Sequence, residues 1–198
     1  MEEYTALIKK RLSKNRYEHS LGVAQTARNL ALSYEVDPEQ AYLAGILHDY
    51  AKELSNQELL ELGKMYDLIL DDAEIREPAL LHGPVGAVLL QKELGINNSE
   101  ILAAIRYHTT GCGNMNKLTQ IIYISDYIEP NRSFPGVEIL REITYNNLSQ
   151  GVLRGLNQTI KYIVDNNQLL HFLSVEARNW LIMSERVSEC ASGRENYL

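Results

Sequence analysis

Cysteine is scarce in this chain: only Cys112 and Cys190 occur, and their separation fits neither a zinc pair nor a disulfide framework. Stability must therefore come from an ordinary core, and a reducing compartment, the cytoplasm, is the expected location. No apolar stretch approaches the length of a membrane span, so no membrane partner is expected. The opening MEEYTALIKKRL is too charged to serve as a secretory signal. Repeats, low-complexity tracts and Pro- or Gly-rich linkers are absent, so the 198 residues read as one domain. Basic residues are outnumbered, 19 against 26 acidic, for a net charge of −7. That balance excludes a general nucleic-acid binder, which needs a basic stripe to neutralise phosphates. Phe is nearly missing too, two against twelve Tyr, and those tyrosines lack the basic groove of a single-strand stacking platform. A small anionic substrate stays allowed, because a metal or a few local cations can reverse the field inside one pocket.

What is present is helical periodicity, nearly everywhere. The pattern predicts a first helix over 2–12 and a second over 16–34, capped by Asn15, with Leu21, Ala24, Ala27 and Ala31 on one face. Asp37-Pro38 opens a third, a capping residue followed by proline at the first helical position, running to His48-Asp49. Ser55-Asn56-Gln57-Glu58 is a capping box for the next. Further helices are expected over 83–94 with Gly95 as the stop, 99–108, 117–128, 137–145, 150–164 and 175–187. TTGCGNMN at 109–116 and the run 131–136 read as loops, and the polar tail 188–198 as frayed. The expected fold is an all-α bundle of irregular topology with its core over about 15–182.

The chemistry sits in the five histidines and two of the aspartates. A His-Asp dipeptide is weak evidence alone, since neighbouring side chains diverge on a helix. At a helix end, where the backbone turns, His48 and Asp49 can converge on one ion. His19 lies upstream on an otherwise apolar face, beside Gly22, Val23 and Thr26. Asp126 lies downstream within IIYISDYIE, where a bare buried carboxylate would be costly and a divalent cation is a suitable partner. Imidazoles with carboxylates suit Fe, Mn, Zn or Ni better than Ca or Mg.

The order H…HD…D, carried by His19, His48, Asp49 and Asp126, resembles the metal-binding signature of the HD-domain phosphohydrolases. LLHGPVGA with His82, RYHTTG with His108, HDYAK at 48–52, SDYIEPNR at 125–132 and LLHFLSVEARNWL at 169–181 are similar to a narrower group, the YqeK-type family. One departure is Phe172, where that family often has proline after the histidine. The resemblance covers about residues 15–182 and implies an HD-domain helical bundle. It implies an iron-linked enzyme that hydrolyses diadenosine tetraphosphate symmetrically to two ADP. His19, His48, Asp49 and Asp126 are then the expected metal ligands.

Phosphoanhydride hydrolysis needs a nucleophilic water, neutralised phosphate charge and a stabilised leaving oxygen, and a metal here would acidify water and polarise a phosphoryl oxygen. Asp49 or Asp126 could orient that water or accept its proton. His82 and His108 either complete a second metal position bridged by Asp49 or donate hydrogen bonds to phosphate. Arg132, with its planar fork, and Lys52 are the expected phosphate cations. Tyr127, Leu170 and His171 are expected near base or ribose. The nucleotide is the expected partner, and a homodimer is compatible with this reading. Two rivals stay open: an HD hydrolase acting on a monophosphate, a deoxynucleoside triphosphate or a guanosine alarmone, and a non-catalytic metal or nucleotide sensor.

Overall fold

The computed structural model describes residues 1–193, with side chains to Glu185. Among the described residues there are eleven α-helices, one 3-10 turn and no strand. In chain order they are α1 (Glu2–Arg11), α2 (Lys14–Ser33), α3 (Pro38–Leu47), α4 (Asn56–Met65), α5 (Asp72–Arg76), the 3-10 turn (Pro78–Leu81) and α6 (His82–Leu94). There follow α7 (Ser99–Tyr107), α8 (Lys117–Ile128), α9 (Val137–Asn146), α10 (Leu148–Asp165) and α11 (Phe172–Gly193). No helix is long and apolar enough to cross a membrane.

Local chemistry sets most of these ends. The Asp37 carboxylate accepts from the backbone N–H of Glu39 and Gln40 at the start of α3. Ser55 and Glu58 close a reciprocal capping box on α4. Gly95, left-handed at φ 66°, ends α6 where a side chain would strain. Asn98 and Asn116 cap α7 and α8.

Some boundaries differ from the expectation. The second helix starts at Lys14 behind Ser13, not behind Asn15, because the Ser13 N–H is tied to Glu53 Oε1 at 2.8 Å. Asn147 caps α10, which begins at Leu148, two residues early. The last helix begins at Phe172 and is described to Gly193, past the point where fraying was expected; residues 194–198 lie outside the described residues. The segment α5 and the 3-10 turn were not expected at all.

The core is layered around α8, in which every residue from Leu118 to Ser125 is buried. Helices α2, α3, α7 and α10 pack against it. Contact between α2 and α3 is especially close: a Cβ on Gly45 would lie 2.7 Å from Ala24 Cα. This packing aims the middle of α2, the C-terminal ends of α3 and α7, the start of α6 and the C-terminal part of α8 at one place.

Candidate metal centre

That place holds four imidazoles in a row. Ring centroids are 5.3 Å apart for His19 and His48, 4.9 Å for His48 and His108, and 4.8 Å for His108 and His82. His48, His82, His108 and Asp49 are buried. Asp49 turns into the row because α3 ends at Leu47 and the chain continues in tight turns, with the Tyr50 and Lys52 N–H groups bonded to the Leu47 and Asp49 carbonyls.

Each ring's tautomer follows from its outer nitrogen. His48 Nδ1 lies 2.7 Å from the Gly45 carbonyl, His108 Nδ1 lies 2.7 Å from the Ile105 carbonyl, and His82 Nδ1 bonds the Ala79 carbonyl. A carbonyl can only accept, so all three Nδ1 atoms carry the proton. His19 Nδ1 does the same toward Glu129 Oε1 at 3.1 Å. Four Nε2 lone pairs therefore point inward, among two carboxylates. His19 Nε2 is 3.0 Å from Asp126 Oδ1, and His48 Nε2 is 3.5 Å from Asp49 Oδ2. His82 and His108 Nε2 lie 3.3 and 3.7 Å from Asp49 Oδ1, and 2.9 Å from each other. Buried Nε2 atoms of His19 and His48 have no aligned hydrogen-bond partner. Lone pair facing lone pair is repulsive unless a cation sits between, and a divalent ion fits this donor set.

Electrostatics agree. Burial would raise the Asp49 carboxyl, but His48, His82 and His108 outweigh it and hold the group well below the usual carboxylate range. Burial also works to raise Asp126, and His19, His48 and His108 overcome it. Burial pushes His48 down, and pushes His108 down to about 3 with help from His82 and His48. For His19 burial lowers the pKa, yet Asp126 and Glu129 raise it overall. The carboxylates are thus ionised and the inner imidazoles of His48 and His108 neutral, as metal ligands must be. Among the described residues two groups can hold an ion: His19, His48 and Asp126, and His48, Asp49 and His108.

The outlying candidates fall on both sides of this boundary. Lys52 reaches the cluster, its Nζ 3.3 Å from His82 Nε2. Arg132 bonds Asp126 through both its carboxylate, at 2.7 Å, and its backbone carbonyl, at 2.9 Å. Half-buried Tyr127 packs edge-on against Phe134 at 5.1 Å. His171 belongs elsewhere: it is buried opposite Glu74, Nε2 to Oε1 3.5 Å, and no described bond ties it or Leu170 to the cluster.

Two site residues escaped the sequence reading. Glu129 is buried behind His19, and Gly22 leaves the room it needs, since a Cβ there would meet Glu129 Oε2 at 2.5 Å. Arg16 reaches Asp49 Oδ2 at 3.2 Å from one helical turn before His19. That spacing, and the one turn between Asp126 and Glu129, were the available signals.

Known proteins resemble this chain over most of its length. Residues 16–131 match the HD domain family. A symmetrical bis(5'-nucleosyl)-tetraphosphatase of Bacillus subtilis is 39% identical over 91% of this chain and 97% of its own. One of the same name from Staphylococcus aureus is 36% identical over 96% and 98%. The crystal structure of a predicted HD superfamily hydrolase involved in NAD metabolism, from Clostridium acetobutylicum, is 42% identical with a TM-score of 0.89, covering 92% of this chain and 97% of that one.

Proposed function

The chain belongs to the HD domain family, among the symmetrical bis(5'-nucleosyl)-tetraphosphatases, and on that premise we propose that it hydrolyses diadenosine tetraphosphate to two ADP at the histidine-carboxylate cluster. The observation that carries this reading is the set of four like-oriented imidazoles converging with Asp49 and Asp126. His19, His48, Asp49 and Asp126 would hold a divalent ion, and iron is the metal we assign, with Mn, Zn and Ni chemically admissible. When bound, such an ion supplies neutralisation of phosphate charge and acidification of water.

The chain's own groups do the rest. Asp126 keeps a quarter of its side chain exposed, so its carboxylate can accept a hydrogen bond from the attacking water and orient it. Its strongly held ionisation makes it a better orienter than base. His82 and His108, with Nε2 atoms 2.9 Å apart beside Asp49 Oδ1, line the same cavity and stand where they can contact the phosphate chain. The same distance, with Asp49 Oδ1 beside both rings, favours a second reading in which these three groups hold a second ion. Arg132 and Lys52 are the phosphate cations: the guanidinium, which now donates twice to Asp126, would exchange these bonds for phosphate oxygens.

The test is to incubate iron-loaded protein with diadenosine tetraphosphate and separate the products. Two ADP, lost in His48→Ala, is the expected result. ATP with AMP would overturn the symmetrical cut, and bound metal without turnover of any nucleotide would favour a sensor.

A further inference from the structure

Arg16 stands in the site without an assigned task. It enters from α2, its NH1 3.2 Å from Asp49 Oδ2, with 40% of the side chain still exposed. Asp49 is already flanked by three imidazoles at 3.3, 3.5 and 3.7 Å. Of the guanidinium's N–H groups only one has a hydrogen-bond partner among the described residues. A planar fork that can grip two phosphate oxygens is thus barely used.

Arg16 also has cationic company. Lys52 comes from the turn after α3 and Arg132 from the turn after α8, and all three surround the same pair of carboxylates. Lys52 Nζ lies 3.3 Å from His82 Nε2, and Arg132 NH2 lies 2.7 Å from Asp126 Oδ1. Like charges gathered this closely repel unless an anion joins them. With a divalent ion present, the surplus is matched by a polyphosphate and by few other metabolite groups.

The two arginines divide the work. Arg132 rests on Asp126, and Arg16 rests on Asp49. A cut that yields two equal nucleotides needs a comparable grip on each half of the phosphate chain. We propose that Arg16 binds the polyphosphate on the half that Arg132 does not hold, so that one guanidinium grips each of the two departing ADP units. This rests on the dinucleoside-polyphosphate reading above.

The experiment compares wild type, Arg16→Gln and Arg16→Lys as full-length, iron-loaded proteins. It measures kcat and KM for diadenosine tetraphosphate, bound iron and Tm. A charged bidentate contact predicts that Arg16→Gln raises KM about 10- to 100-fold. Its kcat, iron content and Tm should stay near wild type, and Arg16→Lys should recover part of the loss. Unchanged KM with iron and kcat falling together would show that Arg16 merely holds Asp49 in place, and overturn the proposal. Unchanged kinetics would overturn it equally. Wild type that releases no ADP would instead refute the reading of function, and this proposal with it.

Discussion

Consider replacing Glu129 by glutamine, which exchanges one carboxylate oxygen for an NH2 group and keeps the shape. The carboxylate is 1% exposed and accepts twice, Oε1 from His19 Nδ1 at 3.1 Å and Oε2 from the Asn131 N–H at 2.7 Å. Glutamine has one acceptor and one donor end, so it can serve only one of these donors. If its oxygen keeps the shorter bond to Asn131, its amide donates to His19 Nδ1. The ring must then move its proton to Nε2, and the lone pair that faces Asp126 is gone. Carboxylate–histidine partners of this kind are worth about 10- to 100-fold in metal affinity, or roughly 1.4–2.8 kcal/mol. Chelator-competition titration should show that loss in Glu129→Gln, and ¹⁵N spectra of the His19 ring should show the proton on Nε2. If the amide flips the other way, His19 keeps its tautomer and the Asn131 N–H is stranded, at about 1–3 kcal/mol of folding stability. A variant with wild-type metal affinity, wild-type tautomer and wild-type stability would refute the argument.

Glycine substitutions should separate site from frame. Gly22→Ala pushes only on the Glu129 carboxylate, so metal affinity should fall while the urea midpoint barely moves; Gly45→Ala pushes on the Ala24 backbone and should cost about 1–3 kcal/mol or more by urea titration. Glu74 gives a pH signature: burial would raise its pKa, but the bonds from His171 and the Leu70 and Asp71 N–H groups hold it below its ordinary 4.5. A depressed carboxyl contributes stability above that value and loses it as pH falls, so the gap between wild type and Glu74→Gln should be constant well above 4.5 and shrink below it. Denaturation curves at several pH values check this, and a gap independent of pH would contradict it. Removing the metal should lower stability, and free ion restored at a hundred times its Kd should return about 2.7 kcal/mol. An unchanged melt would mean that the Nε2 lone pairs do not share an ion.

Much of this was legible in the chain because it is local. Caps at Asp37 and Ser55 act within three residues, so a short window contains cause and effect. The start of α2 was misplaced because the competition between Ser13 and Asn15 is decided by Glu53, forty residues away. Helix α5 spans five residues, too few for a period, though its capping box between Asp71 and Glu74 was there to be read. The four expected ligands lie together, while His171, equally histidine and equally buried, answers to Glu74 instead.

Glu129 could have been inferred from one further question: what each imidazole does with its other nitrogen. His48, His82 and His108 follow the ends of helical segments, where carbonyls can still accept, and their Nδ1 atoms take Gly45, Ala79 and Ile105 three residues back. His19 sits inside α2, where the preceding carbonyls are already spent on the helix itself. Its Nδ1 must therefore find an acceptor on another element, and the acceptor must be buried with it. The helix that supplies Asp126 ends one turn later at Glu129, while Gly22, one turn beyond His19 and on its face, leaves the gap that carboxylate fills. A ligand histidine in mid-helix thus implies a distant carboxylate and a nearby small residue, and here the chain has both.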